Sequence, residues 1–193
     1  MTRISPLVAL AATVLLLPVG ATLAADYTPQ LTALAHGKIK EFAESPAVVA
    51  AIVAQNAITA SYDQAKIDTL DKQWKGEVSA ADKPLITATM GNAASKYLVT
   101  IQDGSQGLYT EIFATDNKGL NAAQSSVTSD YWQGDEDKFS KTFPLGADAV
   151  FFGKVEQDES TQQFQQQVSI TVTDPASGAA IGSITVGVNL DQL

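Results

Sequence analysis

Phe164-Gln165-Gln166-Gln167-Val168-Ser169-Ile170-Thr171-Val172-Thr173 carries apolar residues in alternation with polar ones. Asp174-Pro175-Ala176-Ser177-Gly178 then turns the chain, and Ile184, Val186, Val188 and Leu190 repeat the alternation on the return. Successive strand side chains point to opposite faces, so a period of two marks a strand with one buried face. The short Pro/Ser/Gly connection makes the two strands antiparallel neighbours. Working back toward the N-terminus, residues 149–157 are apolar and aromatic enough for another strand. Residues 108–115 and 120–125 read as two more, joined by the turn Asp116-Asn117-Lys118-Gly119. Between them and the third strand lies a polar connection holding Asp130-Tyr131-Trp132-Gln133-Gly134-Asp135-Glu136, with a short helix expected over 135–142. Five strands with short connections predict an antiparallel sheet.

The preceding half has a different period. Leu31, Leu34, Ala35 and Phe42 recur at helical spacing, and Val49, Ile52 and Val53 extend the stripe beyond Ser45-Pro46. Proline suits the first turn of a helix and disrupts an interior, so Ser45 either caps a second helix or marks a kink in one long helical arm. Ser61 and Gln64 have capping-box spacing ahead of Ile67, Leu70 and Trp74, with Gly76 as the expected stop. Asp82 and Pro84 open a further helix, read to about residue 97. The predicted fold class is α+β: a long N-terminal helical arm followed by a five-stranded antiparallel sheet.

Residues 1–25 carry one charge, Arg3, then an apolar run over 7–19 and the small residues Ala21-Thr22-Leu23-Ala24-Ala25. This pattern predicts a secretory signal peptide cut after Ala24 or Ala25. Pro18 and Gly20 interrupt the run, which falls short of the roughly 20 apolar residues of a spanning helix. Residues 26–193 then form one domain, periplasmic or secreted, with no stable membrane insertion after cleavage. The chain has no cysteine, so it uses no disulfide. Its net charge is −9 at pH 7, made more negative by loss of Arg3, and this argues against nucleic acid or an anionic membrane as partner. Arg3 is the only arginine, so a carboxylate bound by the mature domain must use lysine or backbone N–H.

No catalytic constellation emerges. His36 is the only histidine, sits on the helical arm and has no cysteine to serve. Asp135, Glu136 and Asp137 suit a solvated helix start, where negative charge complements the helix dipole. Neither Asp130 to Asp135 nor Asp116 to Gly119 has calcium-loop spacing, and no phosphate loop is present, so no metal, cofactor or enzymatic activity is expected. Tyr131 and Trp132 with Asp130 or Asp135 are the best binding candidates, because aromatic faces beside a carboxylate hold an amine. The same residues equally suit core anchors that pin a long loop.

The helical arm with its Ser-Pro step, the strand ending in Thr115-Asp116 with its Asn-Lys-Gly turn, the Asp130 to Glu136 segment and the closing Val172-Thr173-Asp174-Pro175 hairpin together resemble the extracytoplasmic Cache domains (PDC, PAS-like) of bacterial sensor kinases and chemoreceptors. The resemblance covers residues 26–193 and implies a ligand held between the sheet and the connection over 125–148. Family members that bind amino acids use an arginine beside a Trp-Tyr pair and a downstream aspartate; this chain has Tyr131-Trp132 and Asp174 without the arginine. Tyr109, Phe151 and Lys154 lie on predicted strands that would line the same cavity, although alternation puts Phe151 and Lys154 on opposite faces, so at most one of those two points inward. Lys154 is the contact for a small carboxylate, or else an exposed strand lysine. The chain resembles a stand-alone sensor, which implies a small-molecule ligand (an amine or small carboxylate) and a membrane receptor or kinase as partner. The alternative is an interaction protein that keeps the fold without a ligand site.

Overall fold

A computed structural model describes residues 26–157 and 163–193; the signal peptide read over 1–25 lies outside the described residues. The chain begins with α1 (Thr28–Leu34), which passes through a wide π-type turn (Ala35–Ile39) into α2 (Lys40–Ala43). Ser45 then adopts an extended conformation and its hydroxyl accepts the Val48 N–H at 3.5 Å, starting α3 (Pro46–Thr59) with proline in its first turn. The Ser-Pro step is therefore a helix boundary, and the chain axis bends there by 71°. Among the described residues no single helix is long and apolar enough to cross a membrane. Val48 and Ile52 face the core, whereas Val53 stays exposed, so the buried stripe is rotated from the expected one.

Two helix boundaries differ from the sequence reading. The helix expected from Ser61 is α4 (Gln64–Val78), capped by Asp63, whose carboxylate accepts the Lys66 N–H at 2.9 Å. A carboxyl acceptor at this position satisfies an orphan N–H and complements the helix dipole. Gly76 does not end α4, because the next residue, Glu77, is held inside by the Ile86 N–H at 2.9 Å and by Gln73 at 2.7 Å. Tertiary anchoring thus overrides the weak helix preference of glycine. Farther on, the single helix expected to residue 97 is two, α5 (Pro84–Gly91) and α6 (Ala93–Gly104). Asn92 breaks them: it is extended, its amide oxygen caps the Ser95 N–H at 2.8 Å, and its amide N–H donates to the Ala122 carbonyl at 2.9 Å. Replacing Asn92 with alanine removes both the cap and the tie to the sheet. A loss of about 1–2 kcal/mol is expected in urea unfolding.

The strands are β1 (Tyr109–Thr115), β2 (Asn121–Gln124), β3 (Val150–Gln157), β4 (Phe164–Thr173) and β5 (Ala180–Asn189), in the order β2-β1-β5-β4-β3 with every pair antiparallel. The alternating segments that define β4 and β5 pair along their length, with Val168 opposite Val186 and Ile170 opposite Ile184. One sheet face presents Ile112, Val168, Val172, Ile184, Val186 and Val188 to Leu31, Ile39, Phe42, Ile52 and Leu98 of the helices, forming the main core. The other face is lined by hydroxyls: Thr115 pairs with Ser183 at 2.8 Å and Ser169 with Thr185 at 2.9 Å. The short helix α7 (Asp137–Ser140) and the turn Phe143–Leu145, both from the β2–β3 connection, pack over the sheet. With helices first and a five-stranded antiparallel sheet second, the architecture is the α+β arrangement that the sequence predicts.

Candidate functional site

Residues 128–133 are pinned to α4 and to the β1–β2 turn. Asp71 of α4 accepts the N–H groups of Tyr131 and Trp132 at 3.0 and 3.1 Å. Lys75, one turn on, bridges Asp71 at 2.7 Å and Asp130 at 2.6 Å. Those two carboxylates, Asp130 foremost, push the Lys75 ammonium well above its ordinary range. Burial opposes ionisation of Asp130, but the hydrogen bonds from Lys75 and Ser129 outweigh it and hold the carboxyl below its usual range. Trp74 stacks on Tyr131 with ring centroids 5.2 Å apart, and its indole N–H donates to the Thr128 carbonyl at 2.8 Å. The Trp132 indole N–H donates to the Lys118 carbonyl at 2.8 Å. Its ring lies so close over Gly134 that a Cβ there would collide with it, and Gly134 in turn abuts Gly119, which has a positive φ of 83°. Only glycine combines that backbone conformation with that approach.

The anchored segment closes one side of a pocket of about 270 Å³. Gln55, Ile58 and Thr59 enter it from the last turns of α3 and Tyr62 from the link to α4. Leu70 of α4 and Leu85 and Thr89 of α5 form the opposing side, while Asn92, Ala122 of β2 and Tyr131 complete it. Behind Thr59 lies Asp116, fully buried at the end of β1. Its carboxylate accepts the Thr59 hydroxyl at 2.8 Å and the N–H groups of Lys118 and Leu120, each at 2.9 Å. Burial pushes the Asp116 carboxyl above its usual range against those hydrogen bonds. Tyr131 is 6% exposed, and burial, reinforced by the charge of Asp116, pushes its phenol well above the usual tyrosine range.

The residues singled out from sequence do not converge on one cavity. Tyr131 lines this pocket; Asp130 and Trp132 adjoin it but are engaged with Lys75 and the Lys118 carbonyl. Asp135 is exposed. Tyr109 lines a separate hollow of about 150 Å³ with Lys38, Glu41 and Tyr97 on the helical side. Phe151 is on β3, at the far edge of the sheet from β2, with Lys141 5.0 Å above its ring. Lys154 is exposed on the same edge strand, within a register irregularity between Phe152 and Val155. Asp174 organises the β4–β5 turn by accepting the Ala176 N–H and the Ser177 hydroxyl at 2.9 and 2.8 Å. Within the β2–β3 connection, Phe139 stacks on Phe143 at 5.6 Å and Thr142 is fully buried, while Tyr131 is the residue of that connection that lines the pocket above. The helical half supplies most of the observed pocket. Its one sequence signal is Gln55 and Thr59, polar residues one turn apart that with Asn56 end an apolar helix.

No family model and no curated protein matches the sequence. Among solved structures, the chain is similar to the ligand-binding domain of the Campylobacter jejuni chemoreceptor Tlp3 in complex with 4-methylisoleucine, at 11% identity over 84% of this chain and 60% of that one, with a TM-score of 0.39. It is also similar to the ligand-binding domain of the Pseudomonas aeruginosa amino acid chemoreceptor PctC in complex with GABA (11% identity, 86% and 60% coverage, TM-score 0.41). A third is the sensor domain of the V. cholerae histidine kinase DctB (17% identity, 86% and 58% coverage, TM-score 0.40). The chain spans about three fifths of the length of these solved chains.

Proposed function

We propose that this chain is an extracytoplasmic sensory domain of Cache type that binds a small molecule and signals through a membrane partner. The observation that carries this reading is the pocket walled by α3, α5 and Tyr131. A concave site with apolar walls and a few fixed polar groups is the usual form of a small-molecule site. Its position gives binding a mechanical consequence. Tyr131 is at once pocket wall and loop anchor, through its stack on Trp74. Helix α3 is at once pocket wall and the far arm of the 71° bend at Ser45-Pro46. An occupant that draws these walls together bears on the N-terminal arm, the segment that leads toward the signal-peptide end of the chain.

Support for the compartment comes from the leader-like residues 1–25. A second reading, an interaction protein without a ligand, is favoured by one observation. Asp71, Lys75 and the Lys118 carbonyl fully engage the Asp130 to Trp132 segment as a structural clamp. A thermal-shift screen of the purified chain against amino acids, amines, carboxylates, sugars and divalent ions separates the two. A ligand at about 100 times its Kd stabilises the fold by about 2.7 kcal/mol, a rise in Tm of several degrees. A flat screen transfers the assignment to the interaction protein.

A further inference from the structure

Every side chain lining the pocket is uncharged. Several of its polar groups are already engaged within the fold. The Thr89 hydroxyl donates to the Leu85 carbonyl at 3.0 Å, Asn92 is tied to Ser95 and Ala122, and the Thr59 hydroxyl is held by Asp116 and the Gln55 carbonyl. Gln55 gives its amide N–H to the Leu120 carbonyl at 3.0 Å, which leaves its side-chain oxygen without a partner among the described residues. The hydroxyls of Tyr62 and Tyr131 are likewise without a hydrogen-bond partner among the described residues, although Tyr131 is more than nine-tenths buried. None of these three oxygens is among the buried unpartnered atoms of the described residues, so each keeps contact with solvent, and on residues that line the cavity they are open to a molecule entering it.

Charge decides the class of that partner. Taking an ion out of water is far more costly than taking out an amide or hydroxyl, unless a counter-ion waits for it. For a carboxylate there is none in the wall. Lys118 reaches Tyr62 by donating to its carbonyl at 3.0 Å, Lys66 lies 5.7 Å from the centroid of its ring, and neither lines the pocket. The buried acid behind Thr59, Asp116, offers an anion no counter-charge in either protonation state. For an amine, that same carboxylate is closed off behind the Thr59 hydroxyl and the Lys118 and Leu120 N–H groups. We infer that the pocket binds a small uncharged polar molecule, held by the Tyr62 and Tyr131 hydroxyls and the Gln55 side-chain oxygen against Leu70 and Leu85, and discriminates against acids and amines of the same shape. The inference rests on the sensory reading above and narrows it.

The test titrates the whole purified chain with sets of compounds matched in shape and differing in charge: propionamide, propionate and propylamine; glucose, glucuronate and glucosamine. Thermal stability and tryptophan fluorescence are followed together, since the chain has two tryptophans, Trp74 and Trp132, and both flank the site. The uncharged member of a set is expected to raise Tm by several degrees near 100 times its Kd and to bind at least tenfold more tightly than its charged analogues. Tyr131→Phe, which keeps the stack on Trp74 and removes the hydroxyl, should weaken that binding about tenfold. Ala88→Leu, which fills the pocket from an exposed position of α5, should abolish it with the circular dichroism unchanged. Preferential binding of the acid or the amine overturns the inference and leaves the sensory reading standing. Binding that survives both substitutions places the ligand elsewhere and also overturns it. No response to any compound, here or in the broader screen, removes the sensory reading itself.

Discussion

Replacing Trp74 with alanine is expected to lower stability by about 3–5 kcal/mol, the range for losing a large, fully buried aromatic side chain. The indole is 0% exposed and belongs to a second, smaller apolar cluster with Ile67, Ile86, Leu120 and Tyr131, apart from the main core on the sheet. Removing it does three things in one place. It leaves a void that the neighbours fill only in part, it orphans the Thr128 carbonyl, and it takes away the ring on which Tyr131 stacks. The damage should be local as well as large. The cluster joins α4 and α5 to the β1–β2 turn and the anchored loop, so hydrogen exchange should accelerate in α4, α5 and residues 128–133 well before it does in β4 and β5. Trp74→Phe keeps a ring against Tyr131 and loses the indole N–H, and is expected to lose less than half as much. Urea unfolding with exchange read peptide by peptide checks both points. Uniform acceleration across the chain would mean that the second cluster does not open on its own.

What the sequence discloses follows from where each residue's partner lies. The β4–β5 hairpin is legible because alternation over 164–173 and after the Asp174 turn is a local signal, and the sheet honours it with Val168 opposite Val186. Ser45-Pro46 is legible as a boundary because the cap and the proline act within one turn. The misreadings have distant partners. Gly76 should have ended a helix, but Glu77 is bound by the Ile86 N–H. Asn92 splits a predicted helix by donating to Ala122, thirty positions downstream. The site shows the same division. Tyr131 is conspicuous in sequence as an aromatic beside acids and does reach the pocket, whereas Gln55, Thr59 and Asn92 join it only through the packing of α3 and α5 on β2. Phe151 and Lys154 lie away from the Tyr131 pocket because strand order decides distance. β3 lies at one edge of the sheet and β2 at the other, with three strands between them.

Asp116 provides the second large effect, in which two substitutions at one position should diverge. Asp116→Ala strands the N–H groups of Lys118 and Leu120 inside the protein, since both donate to the same carboxylate oxygen at 2.9 Å. Each unsatisfied buried donor costs about 1–3 kcal/mol, so a loss of about 2–5 kcal/mol is expected, concentrated in the turn that carries Gly119 and supports Trp132. Asp116→Asn keeps an oxygen for both donors. The Thr59 hydroxyl, which also reaches the Gln55 carbonyl at 3.0 Å, is free to accept from the new amide. The pH dependence then tells the two roles of the side chain apart. Burial raises the Asp116 carboxyl above its usual value of 3.8, so the folded protein holds the proton more tightly than the unfolded chain does. For an acid shifted in this direction, the stabilising contribution is complete below the unfolded value and is lost as pH rises through the folded one. Above that, the native protein carries an ionised carboxylate that its surroundings would rather keep neutral. The asparagine variant should therefore match the native protein near pH 3 and equal or exceed its stability at pH 7, while the alanine variant lies below both throughout. Parallel losses for asparagine and alanine at pH 7 would show instead that the negative charge itself holds the turn.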